Sequence, residues 1–244
     1  MSIEPEKLTV NVSENETVTV LLYPAAKKTR AQTTIILGHG AGANQTSPFM
    51  RLFATGLAER GFDAMTFNFI YSERGRGGPD PKAKLESCYL AVIEAAKAQK
   101  KLKGNRVVIG GKSMGGRIAS QVASQYHRAV AGGSGAAAGV KDIAGLVFLG
   151  YPLHPPGRLD KMRDAHLKDV NAPMLFIQGT RDPFGTPEEL RVVIKRDKLS
   201  ATVYVIEGGD HSFKVPKSAG VTQPQLYESI LDEIVQWSRR IPNS

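Results

Sequence analysis

Ser113, Asp182 and His211 have the residue types and the chain order that an activated serine nucleophile requires. A serine hydroxyl is a weak nucleophile until a histidine accepts its proton and a carboxylate orients that histidine. Each of the three residues closely follows an apolar run of the kind that forms strands. Because the carboxyl ends of parallel strands meet at one edge of a sheet, we expect the three side chains to converge there.

The segment around the serine, "GGKSMGGR" at residues 110–117, matches two different motifs. Gly111 to Gly115 fits G-x-S-x-G, in which a strand, a sharp turn that exposes the serine and a helix follow one another. The residues up to Ser113 also resemble the end of the phosphate-binding loop G-x-x-x-x-G-K-[ST]. That loop needs a glycine where Arg106 stands, and the three β-branched residues after Arg106 favour a strand. The segment therefore favours a nucleophile over a nucleotide site, with a serine that only caps the helix as the alternative.

Three carboxylates lie close enough to strand ends to be considered as the partner of His211. Asp182 follows a strand in "GTRDPFG", and its alternative role is that of an ordinary turn aspartate. Asp210 is adjacent to His211 and cannot easily present its carboxylate to the ring, so we expect it to hydrogen-bond within its own loop. Glu207 ends a strand and is a weaker rival. Two other histidines lie in polar segments and are expected to face solvent: His127 and His166.

Attack on a carbonyl requires hydrogen-bond donors for the oxyanion that develops in the transition state. The motif predicts one donor, the backbone N–H of Met114, directly after the nucleophile. The second is expected from the small-residue loop Gly38–Ala43, where Ala41 is the predicted donor and Gly42 is the neighbour that could replace it. We expect His39 to brace this loop rather than to take part in chemistry.

The elements that must position these residues alternate between strands and helices along the chain. Strands are predicted at Leu8–Val12, Thr17–Tyr23, Thr33–Leu37, Phe62–Phe69, Arg106–Gly110, Leu146–Gly150, Met174–Gln178 and Thr202–Glu207. Helices are predicted at Pro48–Arg60, Pro81–Lys101, Met114–Tyr126, Pro187–Arg196 and Gln223–Arg239. The small-residue stretch Ala129–Gly139 is interpreted as a surface connection. The pattern predicts a single α/β domain over residues 1–244, with about eight strands in a mostly parallel sheet and helices on both faces.

The composition narrows the class of protein and its partners. The 244 residues carry 32 basic and 23 acidic side chains, a net charge of +9. The basic residues form small separate groups without interleaved aromatic residues, so we expect no nucleic-acid partner. Cys88 is the only cysteine, which excludes an intrachain disulfide and fits a reducing compartment. No apolar run is long enough for a membrane span and residues 1–10 do not resemble a signal peptide, so we expect a cytoplasmic protein without a membrane partner.

Six segments together resemble the α/β-hydrolases of the dienelactone-hydrolase-like kind: "GHGAGA", "FNFIYSERGRGGPD", "GGKSMGGR", "GYPLHPPG", "GTRDPFG" and "GGDHSF". More narrowly, the chain resembles the family named for a testis-expressed protein and for a subunit of a histone-acetyltransferase complex. The resemblance implies an α/β-hydrolase fold with a serine triad, and some relatives serve as complex subunits rather than as known enzymes. Dienelactone hydrolases proper use a cysteine nucleophile, so Ser113 favours an esterase. Cys88 is expected to be structural because Leu85 and Val92 give its helix a core-facing spacing.

The substrate pocket is expected between the loops that follow the strands. Arg74 and Arg76 could attract an anionic substrate, although a solvated loop is an equal alternative, while Tyr151 and His154 could supply a wall and a polar group. Gly42 is a further candidate for substrate contact. The short segment between His154 and the next strand leaves no room for a large cap domain, which predicts a shallow site for short or accessible acyl groups.

The reaction that this set of residues favours is hydrolysis of a small carboxylic ester through an acyl-enzyme, without a metal or another cofactor. The same residues would also permit a thioesterase or a peptidase. A non-catalytic interaction module that keeps the fold is a further alternative, motivated by the complex subunits among the relatives and by the basic surface. The oligomeric state and the natural substrate stay open.

Overall fold

The computed structural model describes residues 3–26, 29–131 and 143–242 and, for residues 126–131, the backbone alone. Eight strands and six α-helices lie within these ranges. The strands are β1 (Glu6–Ser13), β2 (Glu16–Tyr23), β3 (Thr33–Gly38), β4 (Asp63–Phe67), β5 (Arg106–Lys112), β6 (Ile143–Leu149), β7 (Met174–Gly179) and β8 (Ala201–Ile206). The helices are α1 (Pro48–Glu59), α2 (Ile70–Glu73), α3 (Lys82–Ala98), α4 (Met114–Ala131), α5 (Pro187–Asp197) and α6 (Gln223–Arg240).

All eight strands belong to one sheet, in the order β1-β2-β4-β3-β5-β6-β7-β8. The first two form an antiparallel pair, and β2 also runs antiparallel to β4. Every other neighbouring pair is parallel. The prediction of a mostly parallel, about eight-stranded sheet is therefore confirmed. Gly38, the last residue of β3, pairs with Gly111, which is one residue before the end of β5, so the loops that leave the two strands start side by side.

Helices cover both faces of the sheet and bury two hydrophobic cores. Residues of α3, α4 and α5 pack on one face, and residues of α1 and α6 pack on the other. Strands β3, β4 and β7 are buried along their whole length, as expected for strands that helices cover on both faces. No helix in the described ranges combines the length and apolar composition that crossing a bilayer requires.

The start of α5 follows directly from the sequence. Thr186 accepts a hydrogen bond from the Glu189 N–H through its hydroxyl, and the Glu189 carboxylate accepts one from the Thr186 N–H. This reciprocal pair is a capping box, and Pro187 occupies the first helical position, where its missing N–H costs nothing. The loop that contains Asp182 therefore ends at a fixed helix start.

Several predicted boundaries are wrong. Strand β4 ends at Phe67 rather than at Phe69, because the N–H of Phe69 is directed to Nε2 of the His39 ring and not to a neighbouring strand. The short helix α2 then begins at Ile70 and ends directly before Arg74. Helix α3 ends at Ala98 and is followed by a 3-10 turn, Lys100–Leu102. Helix α4 continues to Ala131, into the predicted connection, and the rest of that connection lies outside the described residues.

Tyr89 of α3 connects the two strands that carry the site. Its hydroxyl lies 2.8 Å from the Ile36 carbonyl oxygen in β3 and 2.7 Å from the Gly110 carbonyl oxygen in β5. It also accepts a hydrogen bond of 3.0 Å from the Gly110 N–H. The ring is fully buried among core residues. A buried hydroxyl that satisfies backbone groups of both strands fixes their separation next to the site.

Replacing Tyr89 by Phe removes this buried hydroxyl and its hydrogen bonds to the backbone of both strands. We expect the free energy of unfolding to fall by about 1–3 kcal/mol, measured by urea denaturation. The control is Tyr204→Phe on the half-buried strand β8, which we expect to have a smaller effect. Equal stability of Tyr89→Phe and the parent protein would contradict a structural role for the hydroxyl.

Candidate active site

Ser113 lies at the sharp turn between β5 and α4. Its backbone φ of 51° is in the left-handed region, which few residues other than glycine adopt. The turn thus keeps a strained conformation that lifts the side chain above the carboxyl edge of the sheet. Because α4 begins at the next residue, Ser113 also lies at the positive end of a helix dipole.

The glycines on either side of Ser113 are required by a close approach of the β3 backbone. A Cβ atom on Gly111 or on Gly115 would lie only 2.1 Å from the Gly38 carbonyl oxygen. Gly111 also has a φ of 145°, which disfavours any other residue. A Cβ atom on Gly116 would lie 2.8 Å from the Gly111 carbonyl oxygen. The small residues of the motif therefore let the turn pack directly on β3.

Ser113, His211 and Asp182 form a continuous chain of hydrogen bonds. The Ser113 Oγ lies 2.8 Å from Nε2 of His211, and Nδ1 of His211 lies 2.7 Å from Oδ2 of Asp182. The Asp182 side chain is fully buried, whereas the His211 side chain is 20% exposed. The three sequence-predicted residues thus meet in the geometry of a nucleophile, a base and an orienting carboxylate.

Two further donors hold the Asp182 carboxylate in place. Nε2 of Gln178 donates to Oδ2 at 2.9 Å, and the Phe184 N–H donates to Oδ1 at 2.8 Å. Gln178 also donates to the Gly185 carbonyl oxygen and accepts from the Tyr151 N–H. Sequence reasoning missed Gln178. The signal that could have found it is a polar residue in the otherwise apolar run of β7. A buried amide needs partners for its polar atoms, which indicates a polar neighbour such as Asp182.

The other candidates for the acid and the base are placed elsewhere. The Asp210 carboxylate accepts from the N–H groups of Ser212 and Lys214, which confirms its expected role within the loop. Glu207 is exposed. His166 is half-buried with Nε2 2.8 Å from the Ser120 Oγ, so the prediction that it faces solvent is wrong. The side chain of His127 lies outside the described residues.

Two side chains, those of His39 and Tyr71, brace the loop after β3. This role was predicted for His39. Nδ1 of His39 lies 2.8 Å from the Gly40 carbonyl oxygen, and Nε2 accepts from the Phe69 N–H at 3.2 Å. Burial lowers the pKa of His39, which favours the neutral ring that can both donate and accept. The Tyr71 hydroxyl donates to the Ala41 carbonyl oxygen at 2.8 Å. The carbonyl groups of this loop are thereby directed into the protein.

The two predicted oxyanion donors keep free N–H groups. Within the described ranges, neither Ala41 nor Met114 donates its backbone N–H to an acceptor of the protein. Ala41 is exposed in the loop after β3, and Met114 is the first residue of α4. A substrate carbonyl at Ser113 could therefore accept both hydrogen bonds without displacing an internal partner.

The residues predicted to line the pocket do not converge on the site as expected. Arg74 pairs with Glu16 at 3.0 Å and Arg76 pairs with Asp80 at 2.7 Å, so both guanidinium groups already have carboxylate partners.

Tyr151 is fully buried in the core, so the prediction that it forms a pocket wall is wrong. His154 is also buried, with Nδ1 2.9 Å from the Pro155 carbonyl oxygen and Nε2 3.3 Å from a Glu189 carboxylate oxygen. Its ring therefore braces the loop between β6 and β7. Gly42 has open space around its Cα atom.

Lys112, between β5 and Ser113, has a role that the motif did not reveal. Its Nζ donates to the His211 carbonyl oxygen at 2.5 Å. The ammonium group lies 5.9 Å from the centre of the Phe49 ring and 5.4 Å from that of Phe213. Burial lowers the pKa of Lys112 from 10.5 to about 8, against the raising effect of the carboxylates of Asp182 and Asp210. Lys112 thus binds the loop that carries His211.

A profile for the family described as "Alpha/beta hydrolase domain" matches residues 31–239. The chain belongs to this family. The described part of this α/β-hydrolase has no large cap, because turns and one 3-10 turn, Leu167–Asp169, connect β6 to β7.

Solved structures share the α/β-hydrolase fold over nearly the whole chain. A dienelactone hydrolase from Anabaena variabilis has a TM-score of 0.71 and 18% identity, with 98% of this chain and 99% of that chain covered. An α/β serine hydrolase without a lid from Xanthomonas campestris has a TM-score of 0.69 and 18% identity, with 100% of this chain and 98% of that chain covered. An esterase from Pyrococcus furiosus has a TM-score of 0.70 and 18% identity, with 96% of this chain and 91% of that chain covered.

At this level of identity the likeness shows the fold. The expected resemblance to α/β-hydrolases of the dienelactone-hydrolase-like kind is confirmed. The narrower resemblance to the testis-expressed type stays a prediction.

The low pKa of Lys112 predicts how the stability of this α/β-hydrolase depends on pH. Between pH 8 and 10.5 the unfolded chain binds a proton at Lys112 that the folded chain has lost, so folded stability rises with pH. Relative to Lys112→Met, the free energy of unfolding of the parent protein should therefore increase by about 3 kcal/mol across this range.

Urea denaturation of both proteins at pH 7, 8, 9 and 10 measures the difference. All other titrating groups are shared by the two proteins, so the difference isolates Lys112. A stability difference that stays constant from pH 7 to 10 would show that the Lys112 pKa is not lowered.

Proposed function

We propose that this α/β-hydrolase cleaves carboxylic esters of small molecules, with Ser113 as the nucleophile, His211 as the base and Asp182 as its orienting carboxylate. The observation that carries the proposal is the hydrogen-bonded chain from the Ser113 Oγ through His211 to the buried Asp182 carboxylate. A structural serine that only caps a helix has no need of such a chain.

The first half of the reaction forms an acyl-enzyme. His211 Nε2 accepts the hydroxyl proton while the Ser113 Oγ attacks the ester carbonyl carbon. The carbonyl oxygen becomes an oxyanion and accepts hydrogen bonds from the N–H groups of Ala41 and Met114. When the bond to the alcohol oxygen breaks, the protonated His211 returns its proton to that oxygen, and the alcohol leaves. Asp182 stabilises the imidazolium that exists between these two proton transfers.

The second half regenerates the serine. A water molecule gives one proton to His211 and attacks the acyl carbonyl with its oxygen. The second tetrahedral intermediate uses the same two N–H groups and then releases the carboxylic acid, while the His211 proton returns to the Ser113 Oγ. Each turnover consumes one ester and one water and yields one acid and one alcohol, so no oxidant, metal or other cofactor enters the balance.

An ester is favoured over a peptide because its alcohol leaves more readily than an amine. A thioester or a peptide could react with the same three residues. A panel that compares an oxygen ester, an acyl thioester and a peptide amide on one protein preparation separates these reactions. The proposal requires the highest kcat/KM for the oxygen ester.

Replacing Ser113 by Ala removes the nucleophile while leaving the fold of the turn. We expect kcat for a short activated ester to fall on the order of 10³- to 10⁶-fold, and covalent labelling by a fluorophosphonate probe to disappear. Ser218→Ala, in the exposed 3-10 turn Lys217–Ala219, is the matched control and should keep both properties. Cleavage by Ser113→Ala at the parent rate, or a parent protein that the probe does not label, would rule out the serine mechanism.

Asp182→Asn tests the orienting carboxylate. Both Asp182 oxygens accept hydrogen bonds from N–H donors, so an amide must turn its NH₂ group toward a donor on one side. We expect kcat to fall on the order of 10²- to 10⁴-fold, less than for Ser113→Ala. Asp210→Asn changes a carboxylate adjacent to His211 that serves only the loop, and it should affect kcat far less. Similar losses in the two variants would contradict the assignment of Asp182.

A further inference from the structure

A cavity of about 430 Å³ lies between the loop after β3, the start of α1 and the loop after His211. Its volume is within the range of small-molecule pockets. Its lining includes Phe49, Met50 and Leu52 of α1 and Tyr227 of α6. The sequence had suggested only a shallow site, because no cap covers the edge of the sheet. The structure instead provides a cavity of small-molecule size between α1 and the loop after His211.

The cavity opens next to the nucleophile. Gly40 lines it, and a Cβ atom on Gly40 would lie 3.7 Å from the Cβ atom of Ser113. Ala43 also lines it, so the loop that carries the Ala41 N–H forms one side of the cavity. Lys112, which precedes Ser113, and Ser212, which follows His211, line the cavity as well, so a group attached to a carbonyl at Ser113 lies beside it. Gly40 has no side chain and therefore adds no bulk between the cavity and Ser113.

The wall of the cavity is mostly carbon. The Phe49 ring packs at 4.5 Å from the Phe53 ring and edge-on at 5.9 Å from the Tyr227 ring, so the aromatic wall is held in a fixed arrangement. Two lysines also line the cavity: Lys112, whose ammonium group already donates to the His211 carbonyl oxygen, and Lys214, which is exposed to solvent. Among the described residues, no carboxylate lines the cavity. These walls favour a hydrocarbon group over a charged one.

An exposed apolar side chain of the lining also favours a hydrocarbon ligand. Leu52 is 36% exposed, and it is one of four large apolar side chains that are this exposed in the described part of the chain. Val192 of α5, which is 66% exposed, is another, and it does not line the cavity. The two positions thus provide a test site and a matched control of similar chemistry.

We propose that this cavity binds the hydrocarbon part of the ester substrate, either the acyl chain or an alkyl alcohol. The inference rests on the proposed function, because it assigns the cavity to an ester that reacts at Ser113. It gives the substrate class as esters with an uncharged alkyl group longer than acetyl or methyl. Each methylene that enters the cavity should raise kcat/KM about fourfold until the cavity is full.

Two ester series distinguish the acyl chain from the alcohol. In the first, the acyl group grows from acetate through butyrate and hexanoate to octanoate with a fixed alcohol. In the second, the acetyl group is fixed and the alkyl alcohol grows over the same lengths. We expect kcat/KM to rise steeply in one series, which identifies the group that the cavity binds. Cleavage with no dependence on length in either series would overturn the inference while leaving the proposed function intact.

Leu52→Trp tests whether the cavity causes the length dependence. The larger ring reduces the space at the rim, so the ratio of kcat/KM between the longest and the shortest ester should fall about tenfold. Val192→Trp adds the same ring to an exposed position on α5 and should leave that ratio at the parent value. An equal ratio in both variants would show that another part of the protein recognises the chain.

A binding measurement separates failure of the inference from failure of the proposed function. The Ser113→Ala protein is titrated with the apolar fluorescent probe N-phenyl-1-naphthylamine, and methyl octanoate and octyl acetate are used as competitors. Leu52→Trp in the same background should weaken probe binding about tenfold. If the parent protein cleaves no ester but Leu52→Trp weakens probe binding, the proposed function is wrong, while the assignment of the cavity to an apolar ligand is supported. Binding that does not respond to Leu52→Trp would overturn the cavity assignment.

Discussion

The arrangement of the site depends on one contact between backbones, in which the Gly38 carbonyl oxygen packs against both Gly111 and Gly115. This contact is possible only without side chains at the two glycines. It joins the end of β3 to the turn after β5, and Ser113 at the centre of that turn has a left-handed φ. The segments that carry the N–H groups of Ala41 and Met114 both leave from this contact.

His211 is held both at its ring and at its backbone. Asp182 binds the His211 ring, while Lys112 binds the His211 backbone carbonyl. Lys112 and Ser113 are consecutive residues whose side chains leave the strand in different directions, so one short segment contacts both the ring and the backbone of the histidine. The cost of burying an ammonium group is visible in its lowered pKa. Phe49, on the other side of that ammonium group, also forms a wall of the cavity.

Much of the fold and the three residues at the centre of the site were predictable from the sequence. Strands such as β3 and β7 are buried on both faces and therefore appear as short apolar runs between turn residues. Ser113, Asp182 and His211 follow such runs, and parallel strands bring their carboxyl ends to one edge. The boundary of β4 was not predictable, because it depends on a hydrogen bond from Phe69 to His39, distant in sequence.

By itself, the sequence determined the chemistry available at the edge of the sheet, because residue type, motif and strand order are local properties. Only the tertiary structure decided which side chains reach the site. Arg74 pairs with Glu16 from β2, and Tyr151 is buried in the core, so neither serves as expected. Lys112 and Gln178, which were not predicted to belong to the site, instead hold the loops that carry His211 and Asp182. The reason is physical: a partner distant in the chain decides whether a polar side chain is free, and only folding brings that partner close.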